Sequence, residues 1–168
     1  MLKQALWAPI AVCAMALSAA VVHADAPSEA SGGLSYDPPV VLSLEQRGQT
    51  TFIDVVAEGD IDGTLSGEIY EEYTVVHHAK AQFNTYRGVL DFDGVVVDAN
   101  GVSHEGSLRL LTRGRQDPGL PVPTATPWDM SWVIVGGSGG LEHVQGHGTG
   151  TLTGLALEYT GQVHFGGH

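Results

Sequence analysis

Trp128 to Phe165 reads WDMSWVIVGGSGGLEHVQGHGTGTLTGLALEYTGQVHF, two alternating runs around a glycine-dense centre. From Leu155 onward the odd positions are Leu155, Leu157, Tyr159, Gly161, Val163 and Phe165. The even ones are Ala156, Glu158, Thr160, Gln162 and His164. Successive side chains of a strand point to opposite faces, so this pattern predicts a strand with one apolar and one wet face. Trp128, Met130, Trp132 and Ile134 repeat it against Asp129 and Ser131. Between the two runs lie GGSGGL and the alternating glycines of GHGTG. Glycine at this density suits turns, bulges and close backbone approach, as where a sheet bends to close on itself. The stretch predicts the seam of a closed antiparallel barrel.

The same residues carry a resemblance. Val135-Gly136-Gly137-Ser138-Gly139-Gly140-Leu141, followed by Val144, Gly146 and Gly148 and a tyrosine-containing last strand, resembles the glycine segment of the allene oxide cyclase and dirigent barrels. It is more similar still to small bacterial barrel proteins of unknown function related to them. The resemblance spans about Thr51 to Phe165 and rests on a scaffold segment. It implies a calycin-like barrel whose lumen holds a reactive apolar substrate in a folded pose.

Upstream, the signals for further strands sharpen from Thr51 onward. Ile53, Val55, Ala57 and Ile61 are followed by a tight turn at Asp62-Gly63, and Leu65 to Val76 forms the return. Phe83 to Val97 places Tyr86, Leu90, Phe92 and Val96 on one face, and the Asp98-Ala99-Asn100-Gly101 loop returns through Leu108, Leu110 and Thr112. No stretch combines helical periodicity with caps. The expected fold is all-β, a single closed antiparallel up-and-down barrel of about eight strands, favoured over a competing β-sandwich by the consecutive hairpins and the glycine seam. Arg113 to Pro127 interrupts the meander with four prolines and reads as a surface loop or a lid over one mouth.

The barrel domain is expected to occupy residues 49–168, preceded by two other segments. Residues 1–24 have the form of a secretory signal: Lys3, an apolar run from Ala5 to Val22, and small residues at Ala24 and Ala26 for cleavage. Residues 25–48 read as a flexible tail, rich in Ser, Gly and Ala up to Ser35, with Val40 to Leu44 as a short strand at most. Export to the periplasm or the exterior follows, without stable membrane association once the signal is removed. Cys13, the single cysteine, leaves with the signal, so the mature chain has neither disulfide nor thiol chemistry. The formal charge of −12 disfavours nucleic acid and anionic membrane surfaces as partners. A homo-oligomer is compatible with all of this.

The sequence withholds most catalytic signatures. There is no nucleophile elbow or phosphate loop, and GGSGG stands between strands rather than before a helix. His143 and His147 are four residues apart, on the order of 13 Å along a strand, and His77-His78 point to opposite faces, so no metal site is expected. Asp60, Asp62 and Glu68 lack the remaining ligands of a calcium loop. Glu71-Glu72 and Asp91-x-Asp93 read as solvated faces. No cofactor is expected.

What remains is an apolar lumen lined by aromatics. Tyr70, Tyr73, Phe92, Trp128, Met130, Trp132, Leu157 and Tyr159 are the candidate substrate-binding residues. They offer π-faces and a few polar handles to an isoprenoid, polyene or phenolic guest. Glu68, Tyr86, Arg109 and His147 are the candidate catalytic groups, chosen as ionisable side chains for proton transfer or charge stabilisation near a mouth. Two functions fit: a cofactor-independent cyclase or isomerase, and a carrier of a hydrophobic small molecule without turnover. A barrel filled by its own core is a third reading. A cavity of a few hundred cubic ångströms containing a buried ionisable group separates the first from the others.

Overall fold

A computed structural model of the chain describes residues 27–118 and 127–166. The expected signal segment and the centre of the proline-rich connection lie outside these residues. Among the described residues there are nine strands and no helix: β1 Ser28–Tyr36, β2 Val40–Arg47, β3 Thr50–Gly63, β4 Leu65–His78, β5 Phe83–Val97, β6 Ser103–Gln116, β7 Trp128–Gly139, β8 Val144–Thr153 and β9 Ala156–Phe165.

All pairings are antiparallel, and β3 to β9 follow one another as a meander. β1 pairs with β9 on one side (Leu34 opposite Leu157) and with β3 on the other (Leu34 opposite Ile61). Eight strands therefore form a ring of pairings, and β2 lies outside it on β3. β1 and β2 run end to end along the same edge of β3, broken at Asp37-Pro38-Pro39, because proline donates no ladder hydrogen bond.

The inward face follows the alternation. Val96, Val163 and Leu141 are completely buried and Phe92 and Leu108 nearly so. Each such side chain contributes about 1.5–3 kcal/mol relative to an exposed one. Outward positions of the same strands carry pairs such as Arg109–Asp91. The Asp98 carboxylate closes the β5–β6 loop by accepting hydrogen bonds from the backbone N–H of Asn100 and Val102, which leaves Gly101 to take positive φ.

Two expectations need correction. The predicted tail contains β1, so the sheet begins at Ser28 and not near residue 49. Of its core-facing residues only Leu34 is large, and Ser28, Ala30 and Gly32 are too small to produce a strong apolar period. Smallness is what the position requires: a Cβ on Gly32 would lie 1.9 Å from Asp62 O and 2.7 Å from the Tyr159 hydroxyl oxygen. The second concerns GGSG, which does not form the turn but the end of β7. It pairs with Gly106 to Arg109 after a bulge at Arg109/Leu110, and the turn falls at Gly140–His143.

Candidate functional site

At the end of the ring flanked by Pro39 and Val41 the interior opens into a cavity of about 400 Å³. Its walls are apolar, built from inward positions of β3, β4, β7 and β8: Ile53, Val55, Val75, Trp128 and Leu152. Below it the interior narrows to a void of about 40 Å³ among Leu90, Phe92, Leu110, Met130, Leu157 and Tyr159, too small for a drug-sized ligand. One end of the lumen is thus filled and the other is hollow.

One carboxylate stands in the hollow end. Glu71 is 0% exposed. Its Oε2 accepts a hydrogen bond from the Tyr36 hydroxyl at 2.5 Å. Its Oε1 accepts from Thr112 Oγ1 at 2.5 Å and from the Tyr86 hydroxyl. Three neighbouring strands position this group. Glu71 lies opposite Leu90 in the β4–β5 ladder, and Gly88, opposite Thr112 in the β5–β6 ladder, leaves the space between. Tyr73 stacks on Tyr86 with ring centroids 4.8 Å apart, and Trp128 meets Tyr86 edge-on at 6.3 Å.

Burial pushes the Glu71 carboxyl above the ordinary glutamate range, against the opposing pull of the Thr112, Tyr36 and Tyr86 hydrogen bonds. Burial, and then the neighbouring Glu71 charge, hold Tyr36 and Tyr86 well above the usual phenol value, so both remain donors. Tyr73 is pushed up to about 12 for the same two reasons. Such a carboxyl holds its proton more tightly than an exposed glutamate does, inside an apolar wall that shields it from water.

The rim carries a polar chain. Asn84 donates from Nδ2 to Gln116 Oε1 at 2.8 Å and turns its Oδ1 to His77 Nδ1 at 2.6 Å. With an oxygen facing it, Nδ1 is the protonated nitrogen of His77. Asn84 and Gln116 are buried.

The expected site residues divide sharply. Tyr86 touches Glu71, and Tyr73 and Trp128 line the cavity. Phe92, Met130, Trp132, Leu157 and Tyr159 belong to the filled part of the lumen. Tyr159 donates there to Asp62 O at 3.1 Å and accepts from the Leu65 N–H. Glu68, Tyr70 and Arg109 do not reach the interior. They lie on the outer face beside an open polar groove, with Arg109 held by Asp91 at 2.8 and 2.9 Å. His147 is also outside. The reason is phase: odd residues of β4 face inward, whereas even ones do in β6 and β8. Glu68, Arg109 and His147 each have the wrong parity.

By the same parity Glu71 is not on a solvated face, and its pairing with Glu72 concealed it. Tyr36 and Thr112 were missed with it. Among the described residues no group of His, Cys, Asp or Glu is arranged to hold a metal ion.

No protein-family model matches the chain, and no curated protein matches its sequence. Its structure is similar to the crystal structure of a protein of unknown function from Shewanella oneidensis MR-1, of the DUF3224 family. The TM-score is 0.60 at 15% identity, over 85% of this chain and 100% of that one. At this identity the likeness is one of fold.

Proposed function

We propose that the ring of strands is a closed calycin-like barrel and that the protein is an exported, cofactor-independent cyclase or isomerase. It encloses an apolar small molecule at the open end of the lumen, and Glu71 moves the proton. The barrel reading is supported by β1, whose two edges pair with β9 and β3 and leave no ring strand with a single neighbour. The leader-like segment at the start of the chain supports export.

The observation that carries the enzymatic reading is Glu71 itself: a buried carboxyl in a 400 Å³ apolar cavity. A solvated position or an apolar core residue would serve solubility or packing better, since burying a carboxylate is costly. Enclosure supplies the other half of the mechanism. Holding a flexible substrate folded removes orientational entropy from ring closure, and up to several kcal/mol of the barrier can come from this. Glu71 then takes a proton from one carbon or oxygen of the substrate and returns it to another. Tyr36, Tyr86 and Thr112 stabilise the carboxylate while it is ionised.

A carrier without turnover is favoured by a different feature. Three of the protein's own hydroxyls already occupy the carboxylate, as in a self-contained polar cluster. Native mass spectrometry of protein purified from its source, followed by incubation of the released molecule with wild type and Glu71→Gln, decides between them. The proposal expects a retained apolar molecule, conversion by wild type, and binding without conversion by the variant. A bound molecule recovered unchanged from both would make the protein a carrier. An empty lumen would remove both readings.

A further inference from the structure

The cavity has a chemical bias beyond being apolar. Among the described residues, no lysine or arginine lines it, and the carboxylate in it is partnered by hydroxyls alone. An ionised carboxylate offers about four acceptor positions. Tyr86 and Thr112 take two on Oε1 and Tyr36 takes one on Oε2, and Glu71 is 0% exposed, so the carboxylate is a charge set into the cavity wall rather than an open acceptor. Around it stand the aromatic rings of Tyr36, Tyr73, Tyr86 and Trp128, all lining the same cavity. Aromatic faces carry negative potential and attract cations, most strongly where water is excluded. The chain as a whole has a formal charge of −12, a field that draws cations toward its openings.

Three ligand classes can be weighed against this. A carboxylate or phosphate would meet a buried acid, phenol rings and a negative field, with no lysine or arginine to receive it. A neutral hydrocarbon would leave the carboxylate unused. A cation would supply the missing countercharge, and opposite charges interact strongly in a medium of low dielectric. We propose that the cavity takes a lipophilic amine, its ammonium resting against the surrounding aromatic faces with the Glu71 carboxylate behind them as countercharge. This rests on the reading of the cavity as a small-molecule site. With an ammonium beside it Glu71 is held ionised, and its part in proton transfer is that of a base.

The test is isothermal titration of the full mature protein at neutral pH with phenylbutylamine, phenylbutanol and phenylbutyrate, three probes of similar size and different charge. The amine should bind at least about tenfold more tightly than the alcohol, a difference of about 1.4 kcal/mol, and the acid should bind most weakly. In Glu71→Gln the amine should lose its advantage over the alcohol. Tyr36→Phe provides a check independent of that variant's folding. It keeps the ring, removes the hydroxyl that donates to Oε2, and should preserve or enlarge the preference for the amine. Alcohol binding equal to amine binding, or a preference lost in Tyr36→Phe, would overturn the amine assignment and leave the apolar cavity intact. Failure of all three probes to bind would overturn the small-molecule reading with it.

Discussion

Gly88 leaves room for Glu71: a Cβ at position 88 would lie 2.8 Å from Glu71 Oε1, 2.7 Å from Thr112 Oγ1 and 2.9 Å from the Cβ of Tyr73. The first two are ends of side chains and could move. The third is fixed to the β4 backbone. Gly88→Ala should therefore displace the carboxylate from its hydroxyl partners and destabilise the fold by about 1–3 kcal/mol, the usual cost of overpacking. Urea unfolding measures the loss, and ligand binding should weaken in parallel. Unaltered stability would mean that the three strands separate more easily than their ladder suggests.

The raised Glu71 pKa has a sign that can be checked. A carboxyl that holds its proton more tightly when folded contributes stability that is complete below its unfolded pKa. That contribution is lost as pH rises through the folded value. Asp54, Asp91 and Asp98 have lowered values and act in the opposite sense, so wild type alone would mix the two. The difference between wild type and Glu71→Gln isolates Glu71. As pH rises above the ordinary glutamate range, the glutamine variant should gain on wild type in chemical unfolding. A difference independent of pH would mean that burial does not shift this carboxyl.

Much of the architecture was legible because it is written in period 2. The alternations through Tyr86, Leu90 and Phe92, and through Trp128, Met130 and Ile134, place those residues in the core where they are found. β1 was hidden for a physical reason: Ser28, Ala30 and Gly32 bury little apolar surface, and the strand is held by ladders on both edges. The site was less legible. Leu65, Ile69, Tyr73 and Val75 fix the inward parity of β4, and that parity includes Glu71. A buried acid violates the apolar pattern, and such violations mark sites. Tyr36 could not be assigned to the cluster from sequence, because it lies 35 residues from Glu71 and reaches it through the β1–β3 pairing.

Substitutions outside the ring should be silent. Arg109→Ala removes a pair with Asp91 whose side chains are 61% and 47% exposed, and pairs so solvated contribute little. Glu68→Ala and His147→Ala remove outward side chains. All three variants should match wild type in thermal unfolding and in affinity for phenylbutylamine. A clear loss of binding in any of them would place a functional surface on the outer face.

Trp132 tests the boundary between the filled and the hollow lumen. Its ring lies on the glycine shelf of the last strands: a Cβ on either Gly148 or Gly161 would come within 2.5 Å of it. It meets Tyr159 edge-on, centroids 6.3 Å apart and planes at 82°. Gly148 of β8 and Gly161 of β9 are thereby explained, since larger side chains at these two positions would displace the indole. Trp132 borders the small void rather than the 400 Å³ cavity, so it acts as packing. Trp132→Ala should cost about 3 kcal/mol, toward the low end for such truncations because the ring is only half-buried. Gly148→Ala should also destabilise, by forcing the same ring to move. Under conditions where Trp132→Ala remains folded, phenylbutylamine affinity should stay within a few-fold of wild type, because the Glu71 cluster is untouched. Thermal unfolding and titration on the same samples give both quantities. Preserved stability with abolished binding would reverse the assignment and extend the ligand site through the whole lumen.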